Sequence, residues 1–308
     1  MGALATVAIA VALIALWCYR LAFYNPQKNK HLDPHTFFGN AESEFCRAPM
    51  TALVDELLSA PCERVTITSR DGLRLCGRLY RFSEENKVEI LMHGWRSSAV
   101  RDSSGGARIA RAVGYNLLIV DQRAHGESEG RTITFGIRER YDCVDWVHFL
   151  VARFGEDVKI LLGGVSMGAA TVLMAAGLDE LPRQVVAVTA DCPYSSPEQI
   201  LRKVCRDRGI PDRIGYPFLY LGARLYGGFS LKDGSPVDAV RVAKVPIMLM
   251  HGEGDSFVPF EMSKDIQAAA TTSCTLLPIP KAGHGLAYFY NTPLYSHEVG
   301  SFKQTALR

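Results

Sequence analysis

Six short apolar runs, at residues 88–92, 116–120, 158–162, 185–188, 245–250 and 274–279, recur along the chain with long intervals between them. None has the strict alternation of a half-wet strand, so each reads as a strand buried on both faces. Most of the intervals carry helical periodicity, at residues 104–113, 138–154, 167–178, 260–270 and 286–304, and Trp146, Phe149 and Leu150 give the second of these an apolar stripe. Parallel neighbours need a crossover, and helices must cover both faces of the sheet they form. The alternation therefore predicts an α/β class with a doubly wound, mostly parallel sheet. Residues 65–68 and 73–80, on either side of Arg70-Asp71-Gly72, predict an antiparallel hairpin at its start.

Two stretches fall outside this rhythm. Residues 193–241 separate two predicted strands and carry turn signals at Pro211, Pro217, Gly227-Gly228 and Asp233-Gly234. An interval of that length predicts a helical cap insertion. In it Arg202, Lys203, Arg206, Arg208, Arg213 and Arg224 outnumber Asp207 and Asp212, with Tyr216, Phe218, Tyr220, Tyr226 and Phe229 close by. Two readings stand for that patch: a solvated basic face over a cap core, or a lid that meets anionic lipid and admits acyl chains.

The other stretch is the N-terminus. Residues 2–19 hold no charge, and snorkelling of Arg20 extends the apolar span to Tyr24, before Asn25-Pro26. No Lys or Arg precedes the run, and it ends in Trp17-Cys18-Tyr19 rather than in a small-residue cleavage site. An uncleaved transmembrane helix fits better than a signal peptide. Arg20, Lys28, Lys30 and Arg47 follow it, which places the catalytic domain on the cytoplasmic side, and Trp17, Tyr19, Phe23 and Tyr24 form an interfacial belt. The expected organisation is an anchor at 1–24, a polar connector at 25–62 and the α/β domain at 63–305.

With 48% apolar and 21% charged residues and a net charge of +2, disorder is excluded and no field favours nucleic acid. The eight cysteines are scattered, with no Cys-x-x-Cys pair and no zinc-ligand spacing, and most of them read as small buried apolar residues. No metal or cofactor is implied.

The chemistry resides in Gly164-Val165-Ser166-Met167-Gly168, which follows a predicted strand and opens a predicted helix. A strand-to-helix turn that sharp holds Ser166 strained and exposed, and needs small neighbours so that strand and helix can approach. A serine hydroxyl needs an imidazole to take its proton, and that imidazole needs a carboxylate to fix its tautomer. Asp255, in the loop after the run at 245–250, and His284, between glycines after the run at 274–279, complete the order Ser, Asp, His. Asp191 is the rival acid. His93, His125 and His251 read as turn-ordering residues. Backbone N–H donors for an oxyanion are assigned to Met167 and Trp95, the latter in the loop after 88–92.

Together with His93-Gly94-Trp95, residues 121–128, Ser235-Pro236 and residues 251–259, these segments resemble the α/β-hydrolase superfamily. The likeness is to its monoacylglycerol-lipase-like and serine-aminopeptidase-like branch, which includes membrane-anchored bacterial members, and covers about residues 63–305. It implies the α/β-hydrolase fold and a serine hydrolase acting through an acyl-serine on a carboxylic ester, with a small-molecule or lipid-like acyl substrate. Thioester or aminopeptidase chemistry on the same three residues, or a membrane-tethered binding protein without turnover, are the alternatives.

Overall fold

The computed structural model describes residues 2–26, 33–37 and 39–306. Helix α1 (Gly2–Ala22) comes first, then a 3-10 turn (Ala41–Cys46) and α2 (Arg47–Ser59). The sheet then forms from β1 (Glu63–Thr68), β2 (Arg74–Tyr80), β3 (Lys87–Met92), β4 (Asn116–Asp121), β5 (Lys159–Val165), β6 (Val185–Asp191), β7 (Ile247–Gly252) and β8 (Cys274–Ile279). Their order across it is β1-β2-β4-β3-β5-β6-β7-β8. The first two strands form the antiparallel hairpin, β2 pairs antiparallel with β4, and every later pairing is parallel. Strands β3, β4 and β7 are buried along their whole length, as their largely apolar runs imply, with Glu89 of β3 a buried charge among them.

Crossover helices α3 (Ala99–Ala112), α4 (Glu139–Phe154), α5 (Met167–Ala176) and α9 (Glu261–Ala269) cover the faces. Trp146, Val147 and Leu150 of α4 and Val172 and Leu173 of α5 fill one side of the sheet, with Ile90, Leu118, Ile160 and Val188 beneath them. The helix expected over 286–304 is two helices, α10 (Ala287–Tyr290) and α11 (Thr292–Thr305). Asn291 caps the second by accepting from the N–H of Leu294, and a proline in its first turn has no N–H to continue α10. The segment read as a polar connector carries α2, whose Leu53, Val54 and Leu57 are buried against the sheet's other helical layer. Of the eight cysteines, all free thiols, Cys62 is exposed and Cys274 half-buried, and the other six are buried.

Residues 193–241 form α6 (Pro197–Asp207), α7 (Asp212–Gly222), a π turn (Ala223–Gly227) and α8 (Pro236–Val240). Its aromatic residues divide: Tyr216 and Phe229 are buried in a cluster with Met167 and Met174 of α5. Three of its cations are paired, Arg202 with Glu198 and Asp212, Lys203 with Asp207, and Arg206 with Asp212.

Within α1, Leu4–Ala22 has a mean hydropathy of 2.0, and the helix is long and apolar enough to cross a membrane. Its two halves differ. Leu4, Val7, Ile9 and Leu13 are exposed, while Ala15, Cys18 and Ala22 are buried, with Phe23 after them. The buried half lies on α7 so closely that a Cβ on Gly222 would sit 2.5 Å from the Ala15 carbonyl oxygen. Phe23 makes edge contacts with Phe135 and Phe229, at 5.6 and 5.4 Å between ring centroids. Beyond the helix, the Asn25 N–H donates to the Arg131 carbonyl and the Ile133 N–H to that of Phe23. Lys28 and Lys30, which the orientation argument used, lie outside the described residues.

Candidate active site

Strand β5 ends at Val165, α5 begins at Met167, and Ser166 stands alone between them with φ 56° and ψ −115°. A non-glycine residue in this region is strained, and the parallel sheet and α5 hold it from both sides. At Gly168 the helix passes against β3, where a Cβ would lie 2.0 Å from the Met92 carbonyl oxygen. A side chain there would push α5 and the serine off the strand.

The loops after β7 and β8 bring Asp255 and His284 to this serine. His284 Nε2 lies 2.9 Å from Ser166 Oγ, and its Nδ1 lies 2.7 Å from Asp255 Oδ2. The other carboxylate oxygen, Oδ1, accepts from the backbone N–H groups of Phe257 and Val258 at 2.9 and 2.8 Å. Burial pushes the Asp255 carboxyl up. The attraction of His284 and bonds from His251, His284 and Val258 outweigh it and hold the group well below the usual carboxylate range. An ionised Asp255 selects the tautomer in which Nδ1 carries the proton and Nε2 is free to accept from Ser166.

Asp191, the rival acid, ends β6 beside Ser166 but turns elsewhere. Its Oδ2 accepts from the Tyr295 hydroxyl at 2.8 Å, and its buried Oδ1 has no hydrogen-bond partner. Burial pushes its carboxyl up to about 6.

Among the backbone amides of residues 94–97, Gly94 donates to Asp102, Arg96 to His125 Nε2 and Ser97 to the Gly94 carbonyl, which leaves the Trp95 N–H free. Gly94 itself packs on the serine, its Cβ position 3.4 Å from Ser166 Cβ. Met167 N–H is in the first turn of α5, where no helical carbonyl can accept from it.

The remaining histidines order turns. His93 Nδ1 donates to the Gly94 carbonyl and its Nε2 accepts from the Gln122 N–H. His125 Nδ1 donates to the Arg123 carbonyl, and burial presses its ring down to about 3. His251 bonds Ser263 Oγ and the Val258 carbonyl. Sequence reasoning passed over Asp102, which anchors the Trp95 loop through Gly94; an acid in the first turn of the helix after that loop is the signal it carried. Also unforeseen is the contact of that loop with α1. Trp95 Nε1 donates to the Ala22 carbonyl at 3.0 Å, and the Arg96 guanidinium donates to the carbonyls of Leu21 and Tyr24 at 3.1 and 2.5 Å.

A cavity of about 540 Å³ meets Ser166 and His284. Strands β3, β5 and β6 and helices α3 and α11 supply most of its walls, with Phe37 and Met50 from the N-terminal segment. Among the described residues, none of 193–241 lines it. The one group of possible metal ligands among the described residues, Cys192, Asp255 and His284, shares its imidazole and carboxylate with the hydrogen bonds above.

The model of the alpha/beta hydrolase family matches residues 90–294. A protein of Bacillus subtilis, YqkD, uncharacterized, is 26% identical over 62% of this chain and 62% of its own length. Thiohydrolase aneE of Aspergillus aculeatus is 30% identical over 46% of this chain and 43% of its own, so the chain spans less than two thirds of either relative. Among solved structures, the Pyrococcus furiosus esterase Pf2001 superposes with a TM-score of 0.65 at 22% identity, over 80% of this chain and 94% of its own.

Proposed function

The chain belongs to the alpha/beta hydrolase family, and on that footing we propose that it is a serine hydrolase cleaving carboxylic esters through an acyl-serine intermediate. The observation that carries this reading is the unbroken hydrogen-bond path from Ser166 Oγ through His284 to Asp255, at 2.9 and 2.7 Å. Ser166 Oγ attacks the ester carbonyl carbon while His284 Nε2 takes its proton. The N–H groups of Trp95 and Met167 donate to the oxyanion, and Asp255 stabilises the imidazolium. His284 returns the proton to the departing alcohol as the carbon–oxygen bond breaks. Water, giving its proton to His284, then attacks the acyl-serine, and collapse of that intermediate releases the acid and restores Ser166.

Thioester cleavage is the second reading, favoured by the thiohydrolase relatives. The apolar, exposed half of α1 supports a membrane tether for the same enzyme. Labelling with a fluorophosphonate followed by peptide mapping tests the nucleophile: Ser166 of the full chain takes the label, and the Ser166→Ala variant does not and loses p-nitrophenyl acetate turnover. A chain that is never labelled is a binding protein. Matched ester, thioester and amide substrates of one acyl group then rank the chemistries. Recovery in the membrane pellet after a high-salt wash tests the tether.

A further inference from the structure

The cavity beside Ser166 has a polar floor. Leu91, Gly163 and Thr189 stand at one level across β3, β5 and β6, and Val165 and Asp191 stand one level nearer the nucleophile. Helix α11 faces the same space with Tyr295, Val299 and Lys303, one turn apart from each other. Tyr295 bonds Asp191 at the upper end. At the lower end, Lys303 Nζ donates to Glu89 Oε2 at 2.6 Å, and both side chains are 1% exposed. Eight residues of helix put these two polar levels about 12 Å apart. Leu91 and Val299 lie between them, and the opposite wall is made by Gly106 of α3 and by the Tyr288 ring, which packs on Gly105. A side chain at Gly163 would strike Glu89 Oε1 at 2.7 Å and Leu91 at 2.8 Å, so the glycine lets these two cavity-lining side chains pack down on the sheet.

We propose that this cavity is an acyl slot and that its Glu89–Lys303 floor binds a neutral hydroxyl at the far end of a medium-length acyl chain. The inference rests on the reading of Ser166 as the nucleophile of an acyl hydrolase and names its substrate class. Some 12 Å at roughly 1.2 Å per bond of extended chain is about ten bonds, a chain of about eight to ten carbons. Its methylenes fit the apolar wall. The floor selects the tip: an ion pair is neutral as a whole, so a further charge there is buried without a counter-charge, whereas a neutral dipole adds none. Lys303 has two more N–H groups without partners among the described residues, and the Glu89 carboxylate, bonded by Lys303 and by the Thr189 side chain, has lone pairs left over. A hydroxyl accepts from the first and donates to the second. A plain methyl end strips water from both and returns nothing.

The test compares p-nitrophenyl acetate, decanoate, ω-hydroxydecanoate and ω-carboxydecanoate on the full-length chain. The hydroxy ester is expected to have at least about tenfold higher kcat/KM than decanoate, with the carboxy ester below both. In the paired Glu89→Leu, Lys303→Met variant the hydroxy preference over decanoate is lost or inverted. The ratio within one protein is the readout, because a folding defect lowers both rates together. Val299→Phe narrows the slot without touching the pair and lowers the decanoate-to-acetate ratio at least about tenfold. Equal rates on hydroxy and plain decanoate in the wild type, or a preference that survives the paired variant, overturn the proposal while leaving the ester reading intact. Failure to cleave acetate as well overturns that reading itself.

Discussion

Ser166 stands between two neighbourhoods that are built differently. On the cap side, α5, α6, α7 and the end of α1 interlock through Met167, Met174, Phe135, Phe229 and Phe23. On the other side, α3 and α11 touch where Gly300 meets Ile109 and Val113, yet about 540 Å³ stays open between them and the sheet. The cap looks from its sequence like the place for a substrate, yet its interior is occupied by the chain's own N-terminal helix. Both sides carry aromatic rings, and what separates them is the run Ser103-Ser104-Gly105-Gly106 of α3, whose small side chains leave the second space unfilled.

The two carboxylates next to the serine sharpen this contrast, one serving the histidine and the other facing the open side. Asp255→Asn is expected to lower kcat about 10⁴-fold, since an amide at that position favours the wrong imidazole tautomer. Asp191→Asn is expected to stay within about tenfold of wild type. Steady-state rates on a short ester decide it, and the reverse result moves the acid to β6. A pH arm follows from the lowered Asp255 carboxyl. A group that titrates lower when folded adds stability above its unfolded value of about 3.9, and that contribution is lost as pH falls through its folded value. The gap in urea midpoint between wild type and Asp255→Asn therefore narrows from pH 7 towards pH 3.5.

Stability breaks the comparison along α1 itself. Phe23→Ala removes a ring buried between Phe135 and Phe229 and is expected to cost about 3–5 kcal/mol, measured by denaturant unfolding in mild detergent. Trp95→Phe gives up the bond to the Ala22 carbonyl and costs about 1 kcal/mol. Leu4→Ala, on the exposed half, stays within about 0.5 kcal/mol. Equal losses at Leu4 and Phe23 show that α1 is not docked on the cap. By the same argument, a chain lacking residues 1–24 uncovers Phe135 and Phe229 and aggregates, although the apolar run alone suggests a detachable anchor.

What could be read from the residues follows from how local each signal is. Strands buried on both faces favour apolar runs, so every parallel strand was visible. Strand β8, read as buried on both faces, is however the edge strand and is partly exposed along most of its length. The serine, aspartate and histidine each follow a strand end, and the doubly wound order alone puts strand ends together. The docking of α1 was hidden because its residues up to Cys18 are almost all apolar, and periodicity cannot separate a lipid-facing side from a protein-facing one. The slot was hidden for a different reason. Glu89 sits inside the run 88–92 as one charge among apolar neighbours, and its partner Lys303 is 214 residues away. A pair like that becomes visible only when α11 is laid across β3.

The cap's outer face carries the smallest expected effect. Arg202, Lys203 and Arg206 would each contribute about 1 kcal/mol to docking on anionic lipid if they were free near the surface. Instead they stand beside Glu198, Asp207 and Asp212, three anions to three cations, in pairs that are individually weak but offset these three charges and leave Arg208, Arg213 and Arg224 as the excess of the patch. Moving an ester substrate from neutral to anionic vesicles is therefore expected to change the full-length enzyme's rate less than about twofold, and changing all three cations to Gln likewise. The measurement is hydrolysis on vesicles with and without anionic lipid at low and at physiological salt. A rise of tenfold or more that salt and the three substitutions both abolish would restore the insertion as a lipid-sensing lid. It would then have to open a second route to Ser166 through the packed side, since none of its residues borders the cavity that is already there.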